Sequence, residues 1–153
     1  MILRGKKILL GVTGGIAAYK SCLVLRELQK LGAEVRVVMT QAGNMMVGYE
    51  TFQALTKYPV YIDTFSEHPK SFFQHIDIAK WADLYLIAPC TANSIANIAH
   101  GHGSDSVALS YLSTSCPKII APAMNSDMFA QQVVQDNLKK IEEYGATIIA
   151  PEW

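Results

Sequence analysis

Charge is scarce in this chain. Of its 153 residues 17% are charged, and 13 basic side chains balance 13 acidic ones to a formal net charge of zero. That balance excludes the electrostatic footprint of a nucleic-acid binder or of a protein held to an acidic membrane surface. Cysteine is scarce as well. Cys22, Cys90 and Cys116 are odd in number and lack C-x-x-C spacing, which argues against a disulfide framework and a zinc site. His100-Gly101-His102 has no third ligand at metal spacing, so no metal is expected. No apolar run reaches the roughly 18 residues that a membrane span requires. The basic stretch Met1–Lys7 leads straight into a strand, not into a signal-peptide core. Repeats, linkers and low-complexity segments are missing too. The expectation is one cytoplasmic domain over residues 1–153.

Half of the residues are hydrophobic, enough for a substantial core. The alternation of apolar runs with helical patterns predicts an α/β fold: a three-layer, Rossmann-like (flavodoxin-like) domain with a mainly parallel sheet. Lys6–Thr13 reads as a buried strand, Gly14-Gly15 as a turn, Ile16–Leu31 as a helix capped by Gly32, and Glu34–Met39 as a second strand. Residues 41–57 read as one or two short helices broken at Gly43 and Gly48. Val60–Phe65 is weakly strand-like, Ser66–Ser71 a polar loop, and Gln74–Asp83 a short helix. Leu84–Ala88 reads as a strand stopped by Pro89, which has no N–H for the ladder. A helix follows from Asn93 to His100, then another over Asp105–Thr114. Lys118–Ala121 is a strand, Gln131–Gly145 an amphipathic helix and Thr147–Ala150 a last strand. His68, His100 and His102 read as solvated loop residues.

The most informative stretch runs from Leu84 to Asn97. An apolar strand gives way to Thr91, Ala92, Asn93 and Ser94, which offer hydroxyls, an amide and free backbone N–H groups where a helix begins. The carboxyl end of a parallel strand meeting a helix N-terminus is where open α/β sheets bind anionic ligands. Lys118–Met128 repeats the pattern, which suggests two walls of one pocket. Gly11–Ser21 is neither a Walker A loop nor G-x-G-x-x-G. A glycine turn at a helix N-terminus remains, suited to a single phosphate. The residues alone leave an alternative open for both stretches: a capped helix and a tight turn with no ligand.

Four stretches taken together carry a resemblance. They are Gly11–Lys20, His75-Ile76 ahead of Trp81-Ala82-Asp83, Ala88–Ser94, and Ala121–Met128 with its Pro-Ala-Met-Asn-x-x-Met core. In order and spacing they resemble the flavin-containing cysteine decarboxylases, and within them the phosphopantothenoylcysteine decarboxylase branch. The resemblance implies FMN as cofactor, 4′-phosphopantothenoylcysteine as substrate, and a homotrimer, with four trimers forming a dodecamer. It implies cofactor contacts from Gly14, Gly15 and Ile16, from Thr40 and Gln41, from Thr91, Ala92, Asn93 and Ser94, and from Ala123. His75, whose type is otherwise most often a surface or cap residue, matches the family's catalytic base. Asn125 matches the residue that holds the substrate carboxylate. In the implied chemistry the cofactor oxidises the substrate thiol so that the adjacent carbon can accept the electrons left by CO₂.

The chain departs from the family at several points. The family's lid, which carries a proton-donating cysteine, and its synthetase domain have no counterpart in residues 1–153. Cys90 falls in the cofactor stretch and reads as a packing residue. Ser104 stands where the family usually has Asp, and Phe129 where it usually has Trp. Two other implied functions are a non-catalytic FMN-binding regulatory subunit and a related flavoprotein acting on another substrate, either a peptidyl cysteine decarboxylase or a flavin prenyltransferase. Thr13-Gly14-Gly15 in place of the Ser-Gly-Ser turn counts against the prenyltransferase.

Overall fold

The computed structural model describes residues 1–62 and 74–152, with the side chains of residues 74–76 outside that description. Five strands, β1 (Lys7–Val12), β2 (Glu34–Met39), β3 (Leu84–Cys90), β4 (Lys118–Pro122) and β5 (Thr147–Ile148), form a single sheet. Their order is β2-β1-β3-β4-β5, and every described pairing is parallel. The helices are α1 (Lys20–Lys30), entered through a 3₁₀ turn at Ile16–Tyr19, α2 (Gln41–Met46), α3 (Tyr49–Thr56), α4 (Gln74–Trp81), α5 (Ala92–Ala99), α6 (Ser106–Ser113), α7 (Ser126–Ala130) and α8 (Gln132–Glu143).

Successive side chains of a strand point to opposite faces, and β1 sends them into two separate cores. Ile8, Leu10 and Val12 pack with Leu25, Val37, Met39 and Phe52, while Leu9 packs with Tyr85, Ile87, Ile95, Ile120 and Leu138. A strand buried on both faces has no polar side to show, which is why Ile8-Leu9-Leu10 reads as a continuous apolar run. The fold is therefore the expected three-layer α/β architecture. The sheet order reverses between β1 and β3, since β2 lies to one side of β1 and β3 to the other. A crevice opens there at the carboxyl ends of the strands.

The predicted boundaries needed correction in several places. Pro89 does not stop β3, which runs on to Cys90 through a cis Ala88–Pro89 bond. The ladder to β4 shifts between Ile87 and Cys90, so the strand accommodates a residue without an N–H by leaving its register there. Gly43 is no helix break: it lies inside α2, and the interruption falls at Val47-Gly48. A Cβ on Gly43 would stand 2.6 Å from the Val12 carbonyl oxygen, so this glycine serves close packing of α2 on β1. The helix expected from Ile16 begins as the 3₁₀ turn. Thr91 caps α5, which starts at Ala92, one residue before the expected Asn93. Of Val60–Phe65, Tyr61 forms an isolated parallel bridge to Val38, while residues 63–65, the predicted loop at 66–71 and His68 lie outside the described residues. Gly32 does cap α1: at φ +99° it lets its own N–H reach Gln29 O (3.0 Å) and the Ala33 N–H reach Leu28 O (3.1 Å), a Schellman closure. The imidazole of His100 bonds Asn137 Oδ1 at 2.9 Å, tying the end of α5 to α8, so that histidine has a protein partner.

Candidate functional site

The site starts from two carbonyl groups beside the β3 irregularity, which accept from hydroxyls, Pro89 O also taking the Thr13 backbone N–H at 3.3 Å. Ser21 Oγ donates to Ala88 O at 2.6 Å, and Thr13 Oγ1 donates to Pro89 O at 2.7 Å. Thr13 is fully buried and also accepts from the Thr91 N–H at 3.0 Å. One side chain thus joins the ends of β1 and β3 and fixes the cap of α5. Thr91 Oγ1 in turn accepts from the Ser94 N–H at 3.2 Å.

Two further helix starts meet this point. Thr40 Oγ1 accepts from the Gly43 N–H at 2.9 Å and caps α2. Gly15 caps the 3₁₀ turn Ile16–Tyr19. Gly14 lets α2 approach, because a Cβ there would come within 2.4 Å of the Ala42 Cβ. A cavity of about 300 Å³ lies between them, lined by Gly14, Thr40, Ala42, Thr91 to Ser94, Asp105 and Met128. Helices leave their first N–H groups without internal partners and carry partial positive charge at that end. Such an end of the cleft can accept an anion. Asp105 uses its carboxylate as the cap of α6, accepting from the Ala108 N–H at 2.8 Å.

A cavity of about 750 Å³ shares Gly14, Thr91, Ala92 and Met128 with the smaller one, so the two form one cleft. Its walls are mostly small or apolar: Ala17, Ala88, Pro89, Ala121 and Ala123 are among them. At Gly15 the nearest atoms to a Cβ would be 3.7 Å away, so this wall is open. Asn125 lines the far side. Its Oδ1 accepts from the Met128 N–H at 2.8 Å as the cap of α7, which commits the amide oxygen and leaves the NH₂ as the group offered to a ligand. An anionic tail on a flat, largely apolar body suits this cleft.

The expected site residues divide cleanly. Gly14, Thr91 and Ala92 line both cavities; Gly15, Ile16, Ala123 and Asn125 line the large one; Thr40, Asn93 and Ser94 line the small one. Gln41 lines neither and opens α2 as its first residue. His75 belongs to the first turn of α4, but its side chain lies outside the described residues. Thr13, Ser21, Lys20 and Met128 were not singled out. For Thr13 and Ser21 the available signal was a lone hydroxyl at the end of an apolar run or on the buried side of a helix. Cys90 is fully buried, and burial first, then the Asp105 charge, raises its thiol far above the usual range. That agrees with packing and not proton donation at neutral pH. Burial likewise pushes Tyr111 up to about 12, with Cys90 adding a smaller effect. No group of His, Cys, Asp and Glu among the described residues could hold a metal ion.

Comparison with known proteins gives this geometry a context. The family described as "Flavoprotein" matches residues 2–153. The bifunctional coenzyme A biosynthesis protein CoaBC of Bacillus subtilis is 41% identical over 150 residues, covering 98% of this chain and 37% of the relative. A probable phosphopantothenoylcysteine decarboxylase of Streptococcus mutans is 42% identical, covering 96% of this chain and 83% of the relative. The crystal structure of the FMN-dependent cysteine decarboxylase SpaF superposes with a TM-score of 0.90 at 31% identity, covering 98% of this chain and 86% of that one. The chain thus spans little more than a third of the bifunctional relatives it matches. With the match running across nearly its whole length and the cleft formed at the sheet's switch point, the chain belongs to the flavoprotein family.

Proposed function

We propose that this chain is a decarboxylase domain acting on 4′-phosphopantothenoylcysteine with FMN as its cofactor, releasing CO₂ and 4′-phosphopantetheine. The observation that carries the reading is the pairing, within one cleft, of a donor-rich anion end with the outward-facing NH₂ of Asn125. Similarity to a probable phosphopantothenoylcysteine decarboxylase supports the choice of substrate. FMN, when bound, would take two electrons from the thiol-bearing carbon, so that this carbon can accept the electrons left by CO₂, and would return them to give the product, leaving the net reaction redox-neutral.

The protein's part is holding and orienting. First-turn N–H groups of α5 and α2, with Gly14 between them, would hold the cofactor phosphate, and Gly15, Ile16, Ala123, Asn93 and Ser94 would hold the rest of the cofactor. Asn125 donates to the substrate carboxylate through a neutral amide. A cation at that place would stabilise the ground-state carboxylate, and an amide does so less. His75 is the proposed base, a role open to an imidazole. Ile16 is 86% exposed and Tyr19 is 56% exposed at the cleft's rim, which supports completion of the site by other copies in a trimer, with the dodecamer as four such trimers. A cytoplasmic location fits a cofactor-dependent biosynthetic step.

The test is a visible absorption spectrum of the purified protein, followed anaerobically after adding 4′-phosphopantothenoylcysteine. Oxidised-flavin bands that bleach, with release of CO₂, are expected. His75→Asn should keep the bands and lose the CO₂. A colourless protein that takes up no added FMN, or flavin bands indifferent to the substrate, would overturn the reading.

A further inference from the structure

Among the described residues, the large cavity carries charge at two points of its lining, Lys20 and Glu152. The rest is apolar, small or uncharged. The proposed substrate is anionic at both ends. Its carboxylate is assigned to Asn125, and its phosphate monoester carries about −1.5 to −2 at neutral pH. The small cavity is assigned above to the cofactor phosphate, and Lys20 does not line it. The substrate phosphate therefore needs a separate partner.

We infer that Lys20 is that partner and so sets the preference for a phosphorylated substrate; this rests on the substrate reading above. Lys20 is exposed and is the first residue of α1. The ion pair formed among the described residues is between Lys30 and Glu27, so no carboxylate of the described residues pairs with the Lys20 ammonium. Lys20 stands one turn inside the continuous helical stretch that Gly15 opens, so its side chain, not a helix end, is the charge offered to the cavity. Glu152 is the opposing charge on the cavity wall, which makes the lysine more necessary for holding a dianion. Lys20 comes from the β1 side of the cleft and Asn125 from the turn after β4, so the two anionic ends are held by separate elements, with the thiol at the carboxylate end. A relative acting on a peptide would have no use for such a cation.

Isothermal titration of the FMN-loaded protein with 4′-phosphopantothenoylcysteine and with its dephosphorylated counterpart tests this, because affinity is read whether or not CO₂ leaves. The wild type should prefer the phosphorylated ligand by roughly 10- to 100-fold, the range of one hydrogen bond to a charged group. In Lys20→Met the preference should fall to within about 3-fold, and Lys20→Arg should restore most of it. Flavin content of the variants should match the wild type, since the cofactor phosphate is held elsewhere. A preserved preference in Lys20→Met, or an equal weakening of both ligands, overturns the assignment of the phosphate to Lys20. Failure of the wild type to bind either ligand overturns the substrate reading itself.

Discussion

Asn125 does two things with two atoms of one amide, and Asn125→Asp separates them. The oxygen caps α7 by accepting from the Met128 N–H at 2.8 Å. Asp ranks with Asn as an N-cap, so the variant keeps that bond. Folding stability should change by under about 0.5 kcal/mol, or roughly 1–2 °C in Tm for a chain of this size. The NH₂, by contrast, becomes a carboxylate oxygen. A ligand carboxylate then loses a hydrogen bond to a charged group, about 1.5–3 kcal/mol. It also meets a like charge near 4 Å, about 1 kcal/mol in a water-like dielectric and about 4 kcal/mol in a partly screened one. Asn125 is exposed, so the lower figure is the safer floor. The sum is at least about 2.5 kcal/mol, a loss of some 50-fold or more in affinity. Thermal unfolding and titration of the FMN-loaded variant with substrate measure the two effects separately. Asn125→Ala is the control, losing the cap as well, at about 1 kcal/mol. Unchanged substrate affinity in Asn125→Asp would refute the assignment of the carboxylate to this amide. A Tm drop beyond about 5 °C in Asn125→Asp would refute the account of the cap.

The neighbouring glycines should behave oppositely. Gly14→Ala drives a Cβ to 2.4 Å from Ala42 and should cost about 1–3 kcal/mol with weakened flavin retention, whereas Gly15→Ala, with 3.7 Å of clearance, should leave Tm within about 2 °C. Thr13→Val leaves the part-buried Thr91 N–H without its 3.0 Å partner and should destabilise by about 1–3 kcal/mol in urea denaturation, through an unsatisfied donor; a change under 0.5 kcal/mol, by that same standard, would mean water replaces the hydroxyl. Burial and the Asp105 charge raise the Cys90 thiol in the folded state, so its contribution to stability is complete below the unfolded thiol pKa near 8.5–9 and is lost as pH rises toward the folded value. Denaturation midpoints should fall between pH 8 and 10, less so in Cys90→Ser, and a thiol reagent at pH 8 should spare Cys90 until the chain unfolds.

Much of this protein was written locally. β1 and β3 are apolar on both faces, and such runs announce buried parallel strands. Thr40, Thr91 and Asn125 are short polar side chains placed just before helices, where they cap through their own oxygens. Those features depend on neighbours within a few residues, so order along the chain suffices to read them. The same locality misled at Pro89 and Gly43. A proline ends a strand by its missing N–H, yet Thr13 and Ser21, more than 60 positions away, take up the carbonyls around it. A glycine looks like a break, yet Gly43 is in helix because Val12 lies against it. The cleft itself was decided by the tertiary structure. Crossing of the chain at β1 brings the starts of α2 and α5 together around Gly14, and aims Lys20 and Asn125 into one cavity from opposite ends of the sequence. Capping and strand burial are short-range consequences of side-chain chemistry. Which caps share a ligand depends on strand order, and that is settled by packing both faces of the sheet at once.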